Sequence, residues 1–188
     1  MEAVKDWLKG LVDVTDEELK AMNDIAETTL VKPNEVILKQ GDVADKIGLL
    51  IQGAVRTYFT DNDGTEHIVG FAFDGEPIAA VSSLFNRVPS PVGCATLEPT
   101  LFISTDYERY NSFINRVPRY NSVAVNALGR ALGEGRYRME YMHQTSAKAR
   151  YDSMCTLHPK IIERVPLKYI ASYLGITQET LSRIRAKK

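Results

Sequence analysis

The sequence predicts an α+β chain: an antiparallel β jelly-roll barrel, then a long helix, then a C-terminal helix-turn-helix. Three observations predict it. Residues 36–104 break into short apolar runs separated by turn residues, as in sandwiches and barrels. Residues 119–142 carry apolar side chains at heptad spacing. Residues 166–185, PLKYIASYLGITQETLSRIR, read as two short helices joined by a sharp turn.

Residues 1–30 read as helical. Thr15 and Glu18 form a T-x-x-E capping box, after which Leu19, Met22, Ala26 and Leu30 mark one buried side. Trp7, Leu8 and Leu11 belong to an earlier short helix, with Trp7 as a packing anchor. Pro33 closes this region. Strands are then expected at 36–39, 47–51, 54–60, 65–73, 92–97 and 100–104. Val55, Thr57 and Phe59 alternate with Arg56, Tyr58 and Thr60, as in a half-buried strand. The Asp63-Gly64 step marks a hairpin.

The stretch 78–91, IAAVSSLFNRVPSP, interrupts the strands with about one helical turn. An irregular insertion in a barrel is a common ligand site. The candidate pocket residues are Ala79, Ala80, Val81, Ser82 and Ser83, with Arg87 and Ser90. A short helix over 106–114, capped by Thr105 or Asp106, precedes Pro118. The long helix over 119–142 repeats Val125, Leu128, Leu132, Gly135, Met139 and Met142 at gaps of 3, 4, 3, 4 and 3. That spacing suits a two-fold dimer seam, or else packing on the chain's own barrel. A helix over 145–157 follows, with Ala147, Tyr151, Met154 and His158 on one side, ended by Pro159. The expected domains are 1–118, 119–143 and 144–188, with a hinge around 143–148.

In the terminal pair, Pro166 suits the first helical position, and Leu167, Ile170, Ala171 and Leu174 form the first helix's stripe. Gly175 supplies the left-handed stop. Thr177 caps the second helix, whose apolar face is Leu181 with Ile184. Gln178, Glu179, Ser182 and Arg183 point away from that face. In this motif those turns enter the DNA major groove. Arg183 can donate two bonds to a guanine edge, and Glu179 can accept from a cytosine amino group.

Charge agrees with this polarity. The chain's net charge is −1, yet residues 160–188 hold seven Lys/Arg against two acidic residues. A tail of +5 on a body of −6 points to a polyanionic partner at that end. Cys94 and Cys155 have neither metal-ligand spacing nor a disulfide framework. No apolar run reaches membrane-span length and no signal-peptide core opens the sequence, so a cytoplasmic location without membrane contact is expected. A cupin-type metalloenzyme on the same barrel needs several histidines, and the strand region has only His67. No catalytic constellation, metal site or cofactor is expected.

The order of elements resembles the Crp/Fnr family of bacterial transcription regulators over nearly the whole chain. Residues 38–56, LKQGDVADKIGLLIQGAVR, look like the paired glycine turns of its cyclic-nucleotide-binding-type barrel. Residues 170–184, IASYLGITQETLSRI, are similar to its DNA-reading helix pair, with Glu179, Ser182 and Arg183 where the Fnr branch carries Glu, Ser and Arg. The resemblance implies a cytoplasmic homodimer on a palindromic operator in double-stranded DNA. It also implies contact with RNA polymerase and a small-molecule effector signal received by the barrel. Gln178 is then a third specificity residue, and Thr177, Lys187 and Lys188 touch phosphates.

The resemblance breaks at the effector. Cyclic-nucleotide binders of the family carry Gly-Glu where this chain has Ala79-Ala80, and Arg-Ser near Ser90-Pro91. Each lost charged hydrogen bond is worth about 1.5–3 kcal/mol, so two weaken binding roughly a hundred-fold or more. The cysteine cluster of the family's iron–sulfur members is absent, and a lone His67 gives little support for haem. The sequence also stops at Ala186-Lys187-Lys188, where relatives continue into a β-hairpin wing, so weaker backbone contacts are expected. The competing expectation is a ligand-binding or scaffold module that no longer reads DNA.

Overall fold

The computed structural model describes residues 2–8, 11–143 and 146–186. Two helices open the chain, α1 (Glu2–Leu8) and α2 (Asp16–Ile25). The capping box forms: Thr15 Oγ1 accepts from the Glu18 amide at 3.3 Å, and Glu18 Oε2 accepts from the Thr15 amide at 3.0 Å. Glu18 also takes the Arg119 guanidinium and the Tyr120 hydroxyl. The helix ends at Ile25, where Ala26 turns extended and the β-branched pair Thr28-Thr29 follows. The expected helical stripe through Leu30 is therefore corrected: Leu30 lies in strand β1 (Glu27–Val31) and is 72% exposed.

The remaining strands are β2 (Val36–Leu38), β3 (Lys46–Gln52), β4 (Ala54–Thr60), β5 (Glu66–Phe73), β6 (Pro77–Ile78), β7 (Gly93–Thr96) and β8 (Thr100–Asp106). They pair antiparallel in two sheets, ordered β1-β8-β3-β6 and β2-β7-β4-β5. Leu50, Val55 and Cys94 meet between the sheets. Gly53 joins β3 to β4 at φ +122°; a Cβ there would sit 2.5 Å from Thr100 Oγ1, so only glycine fits. At the β4–β5 hairpin, Asp61 accepts from the Asp63 and Thr65 amides and pairs with His67 Nε2 at 2.6 Å. His67 stacks on Phe59.

Helix α3 (Val81–Asn86) interrupts the strands as the insertion suggested. Helix α4 (Tyr107–Arg116) follows β8, with Asp106 at its cap position paired to Arg109 rather than to an amide. A 3-10 turn (Pro118–Tyr120) leads into α5 (Asn121–Met142). Then come α6 (Ala147–Leu157), α7 (Pro159–Arg164), α8 (Leu167–Leu174) and α9 (Gln178–Ala186). Pro159 does end α6, but it also opens α7, because a missing amide costs nothing in the first turn. Among the described residues, no helix is long and apolar enough to cross a membrane.

The C-terminal helices share a core with the barrel. Ala54 and Phe73 of the barrel cluster with Tyr151, Met154, Ile161, Ile170, Leu174 and Leu181. This corrects the reading of β4 as half-buried. Arg56 is 7% exposed, its guanidinium 4.4 Å from the Tyr58 ring and 4.7 Å from the Tyr169 ring, and it pairs with Glu66 at 2.7 Å. Phe59, expected inside, is 37% exposed. Helix α8 covers the face that period-two alternation assigns to water. It also closes an edge of the sheet. On edge strand β5 the Ile68 amide donates to Ser172 Oγ at 3.0 Å, and the Ile68 carbonyl accepts from Arg138 at 2.9 Å. Arg164, at the end of α7, bonds both Asp74 and Glu98.

Candidate nucleic-acid interface and barrel pocket

The helix pair is built much as its residues dictate. Ile170, Ala171 and Leu174 are at most 2% exposed, and Leu181 is fully buried. Leu167 departs from the expected stripe at 38% exposed, because Pro166 is the cap rather than the first helical residue. Gly175 adopts φ +66° and donates to the carbonyls of Ala171 and Ser172. A Cβ on Gly175 would lie 2.8 Å from Met142 Cε, so the turn rests on the end of α5. Thr177 Oγ1 accepts from the Thr180 amide at 3.2 Å, and its carbonyl accepts from Leu181.

Gln178, Glu179, Ser182 and Arg183 are all exposed; Glu179 and Arg183 lie on the side of α9 opposite Leu181, and Gln178 sits one turn before Leu181 at the helix start. Arg183 Nη2 bonds the neutral hydroxyl of Thr180 at 3.2 Å. A guanidinium so placed keeps its charge and most of its donors for an external acceptor. Thr177 is exposed too, with its hydroxyl committed to the cap. Lys187 and Lys188 lie outside the described residues.

Along α5, Val125 and Leu132 are each 67% exposed, Met139 66% and Leu128 40%. Gly135 is exposed as well, whereas Met142 is half-buried. A row of large apolar side chains in water, at one heptad spacing, is an unfilled packing surface.

A cavity of about 410 Å³ opens between the two sheets beside α3. Of the seven candidate pocket residues, Ala79 and Ala80 line it. The other five do not. Ser83 is fully buried; its hydroxyl accepts from the Ala44 amide at 2.8 Å and donates to the Val88 carbonyl at 2.6 Å. Ser90 donates to the Val92 carbonyl at 2.7 Å and is locked by backbone bonds to Gly41 and Asp42. Arg87 terminates α3 at φ +55°, stays exposed and pairs with Glu108 at 3.1 Å. Val81 and Ser82 lie on α3 outside the lining.

The walls that sequence reasoning missed are Ile37, Leu38, Ile78, Cys94 and Phe102, with Lys46 and Ser104. Alternation along β8 was the available signal, since Phe102 and Ser104 share one face. Lys46 is the one cation in the lining and is already paired with Glu27 at 3.2 Å. Burial pushes the Cys94 thiol up, so it is neutral near pH 7. The cavity is therefore a mainly apolar chamber, with Asp45 also in its wall and, among the described residues, no guanidinium to hold a phosphate.

Geometry and topology together define a class: a jelly-roll barrel of the cyclic nucleotide-binding type, joined by a long helix to a helix-turn-helix. Residues 28–117 match the cyclic nucleotide-binding domain family. Over 180 residues the chain is 23% identical to the transcriptional activator protein Anr of Pseudomonas protegens, covering 89% of this chain and 73% of the relative. It is equally similar, at the same coverage, to the transcriptional activator protein FnrA of Stutzerimonas stutzeri. FixK2 from Bradyrhizobium japonicum shares the fold at a TM-score of 0.71 and 18% identity, over 87% of this chain and 84% of that one. The c-di-GMP-responsive regulator CLP of Xanthomonas campestris does so at 0.73 and 15%, over 92% and 91%. The chain thus carries a cyclic nucleotide-binding domain and is similar, along most of its length, to transcription regulators of the Crp/Fnr type.

Proposed function

We propose that this protein is a sequence-specific DNA-binding regulator that acts in the cytoplasm as a two-fold dimer on a palindromic operator. The observation that carries this reading is the exposed quartet Gln178, Glu179, Ser182 and Arg183 on the first turns of α9. Two copies related by a dyad along α5 place two such faces on half-sites about one helical turn apart. Thr177, Lys187 and Lys188 serve the phosphates, which fix position rather than sequence. Relatives named as activators support RNA polymerase as a further partner. Selection of randomised duplexes by the full chain tests this reading. A palindrome is expected; uniform weak enrichment would favour the scaffold reading.

The seam makes a separate prediction. Leu132→Asp puts a charge on a surface that must desolvate on pairing. Its dimer dissociation constant should rise at least about tenfold, or 1.4 kcal/mol, by analytical ultracentrifugation. An unchanged sedimentation coefficient at matched concentration would place the dyad elsewhere.

The effector received by the 410 Å³ chamber is not a cyclic nucleotide. Ala79 and Ala80 offer no side-chain acceptor to a ribose hydroxyl, and Arg87 is turned toward Glu108. Calorimetry with cyclic AMP and cyclic GMP should give no heat at micromolar ligand. Low-micromolar binding of either nucleotide would overturn this assignment.

A further inference from the structure

A second cavity lies on the other side of the sheet β1-β8-β3-β6, under the N-terminal helices. Its volume is about 150 Å³. Helix α1 contributes Trp7, α2 contributes Met22, α4 contributes Phe113, and α5 contributes Val123, Ala124 and Ala127. We propose that it is a binding site for a small uncharged apolar molecule, of the size of one aromatic ring.

Three observations specify that chemistry. First, among the described residues no charged side chain lines the cavity. The two phenols in its wall are neutral near pH 7: burial raises Tyr110, and burial with the Glu18 carboxylate pushes Tyr120 up to about 12. Second, two of the four hydroxyls there are already engaged. Thr105 Oγ1 donates to the Ile25 carbonyl at 2.7 Å, and the Tyr120 hydroxyl donates to Glu18 at 3.2 Å. A ligand that needs several hydrogen bonds would leave them unmade. Third, its volume of about 150 Å³ is that of an apolar cavity known to accept benzene or xenon. The flexible thioether of Met22 and the aromatic faces of Trp7 and Phe113 can adjust to a flat ring.

This site is separate from the barrel chamber. The sheet divides them, and only Ile47, Gly48 and Ser104 border both. It also sits at the root of α5. Val123, Ala124 and Ala127 face the cavity, while Val125, Leu128 and Leu132 of the same helix face water. An occupant would thus brace the helix that carries the exposed heptad row.

Titration of the full chain with toluene tests the proposal, read by the methyl resonance of Met22 in methionine-labelled protein. A saturable shift is expected, with a rise in thermal midpoint as the ligand binds the folded state alone. Benzoate, a charged molecule with the same ring, should give neither. Ala127→Leu fills the cavity and should abolish the toluene shift without lowering the midpoint. Ala124→Leu serves the same purpose from a neighbouring position should the first variant misfold. An unsaturable or absent Met22 shift, an equal response to benzoate, or an undiminished shift in the filled variants would overturn the site.

Discussion

Arg183→Ala is expected to lose about 1–3 kcal/mol per half-site on the selected operator, roughly 5- to 150-fold in affinity. The loss should be confined to discrimination at one base pair of each half-site. The residue is exposed and its recorded partner is the neutral Thr180 hydroxyl, so neither folding nor a buried charge depends on it. Arg183→Lys should recover charge but not the planar fork that matches a guanine edge. It therefore restores general affinity and leaves selectivity poor. Fluorescence anisotropy against the operator and its single-base variants, at fixed salt, separates the two effects. Uniform weakening on every sequence would make Arg183 a phosphate contact, and the quartet on α9 would no longer be the reading face.

The second large effect is on stability. Arg164 joins α7 to two turns of the barrel through Asp74 and Glu98. Arg164→Met keeps an unbranched stem near the Phe73 ring, which the guanidinium now overlies at 5.3 Å, and removes the charge. Breaking a fully buried pair costs about 3–5 kcal/mol, and an exposed one about 0–1. The three side chains are 22%, 37% and 32% exposed, so about 1–3 kcal/mol is expected from urea unfolding.

The same contact sets an acid limb. The Arg164 hydrogen bond, helped by the Gly53 amide, holds Asp74 below its ordinary 3.8. A carboxylate depressed in the folded state adds stability that is complete above its unfolded pKa. That stability is lost as pH falls through the folded value. The wild-type chain should therefore lose stability below about pH 4 more steeply than Arg164→Met. Parallel acid limbs would show that Asp74 is held down by something other than Arg164.

Local chemistry was legible wherever one residue type has one backbone use. Gly175 stops α8 in the left-handed region and Thr15 with Glu18 closes the capping box, both as their spacing indicates. The strands from β2 to β5 were readable from turn residues and alternation. Strand β1 was not, because Leu19, Met22, Ala26 and Leu30 keep helical spacing past the point where Thr28 and Thr29 leave the helix. Arg56 was misplaced for a different reason. Alternation says which residues share a face, not what covers that face, and the cover here is Tyr169, over a hundred residues away. The pocket behaved likewise. Ala79 and Ala80 were legible from the irregular insertion 78–91 that interrupts the strands. Cys94 and Phe102 reach the same chamber only through sheet pairing across long loops.

The contact between Ser172, Arg138 and Ile68 has a bearing on solubility. Were α8 ever to swing away from β5, the Ile68 amide would stand bare along the sheet margin, with only its carbonyl still held by Arg138 of α5. Such a margin invites strand addition from another chain. The reading head thus doubles as a guard rail: while it is seated, the protein carries its own protection against edge-on self-association.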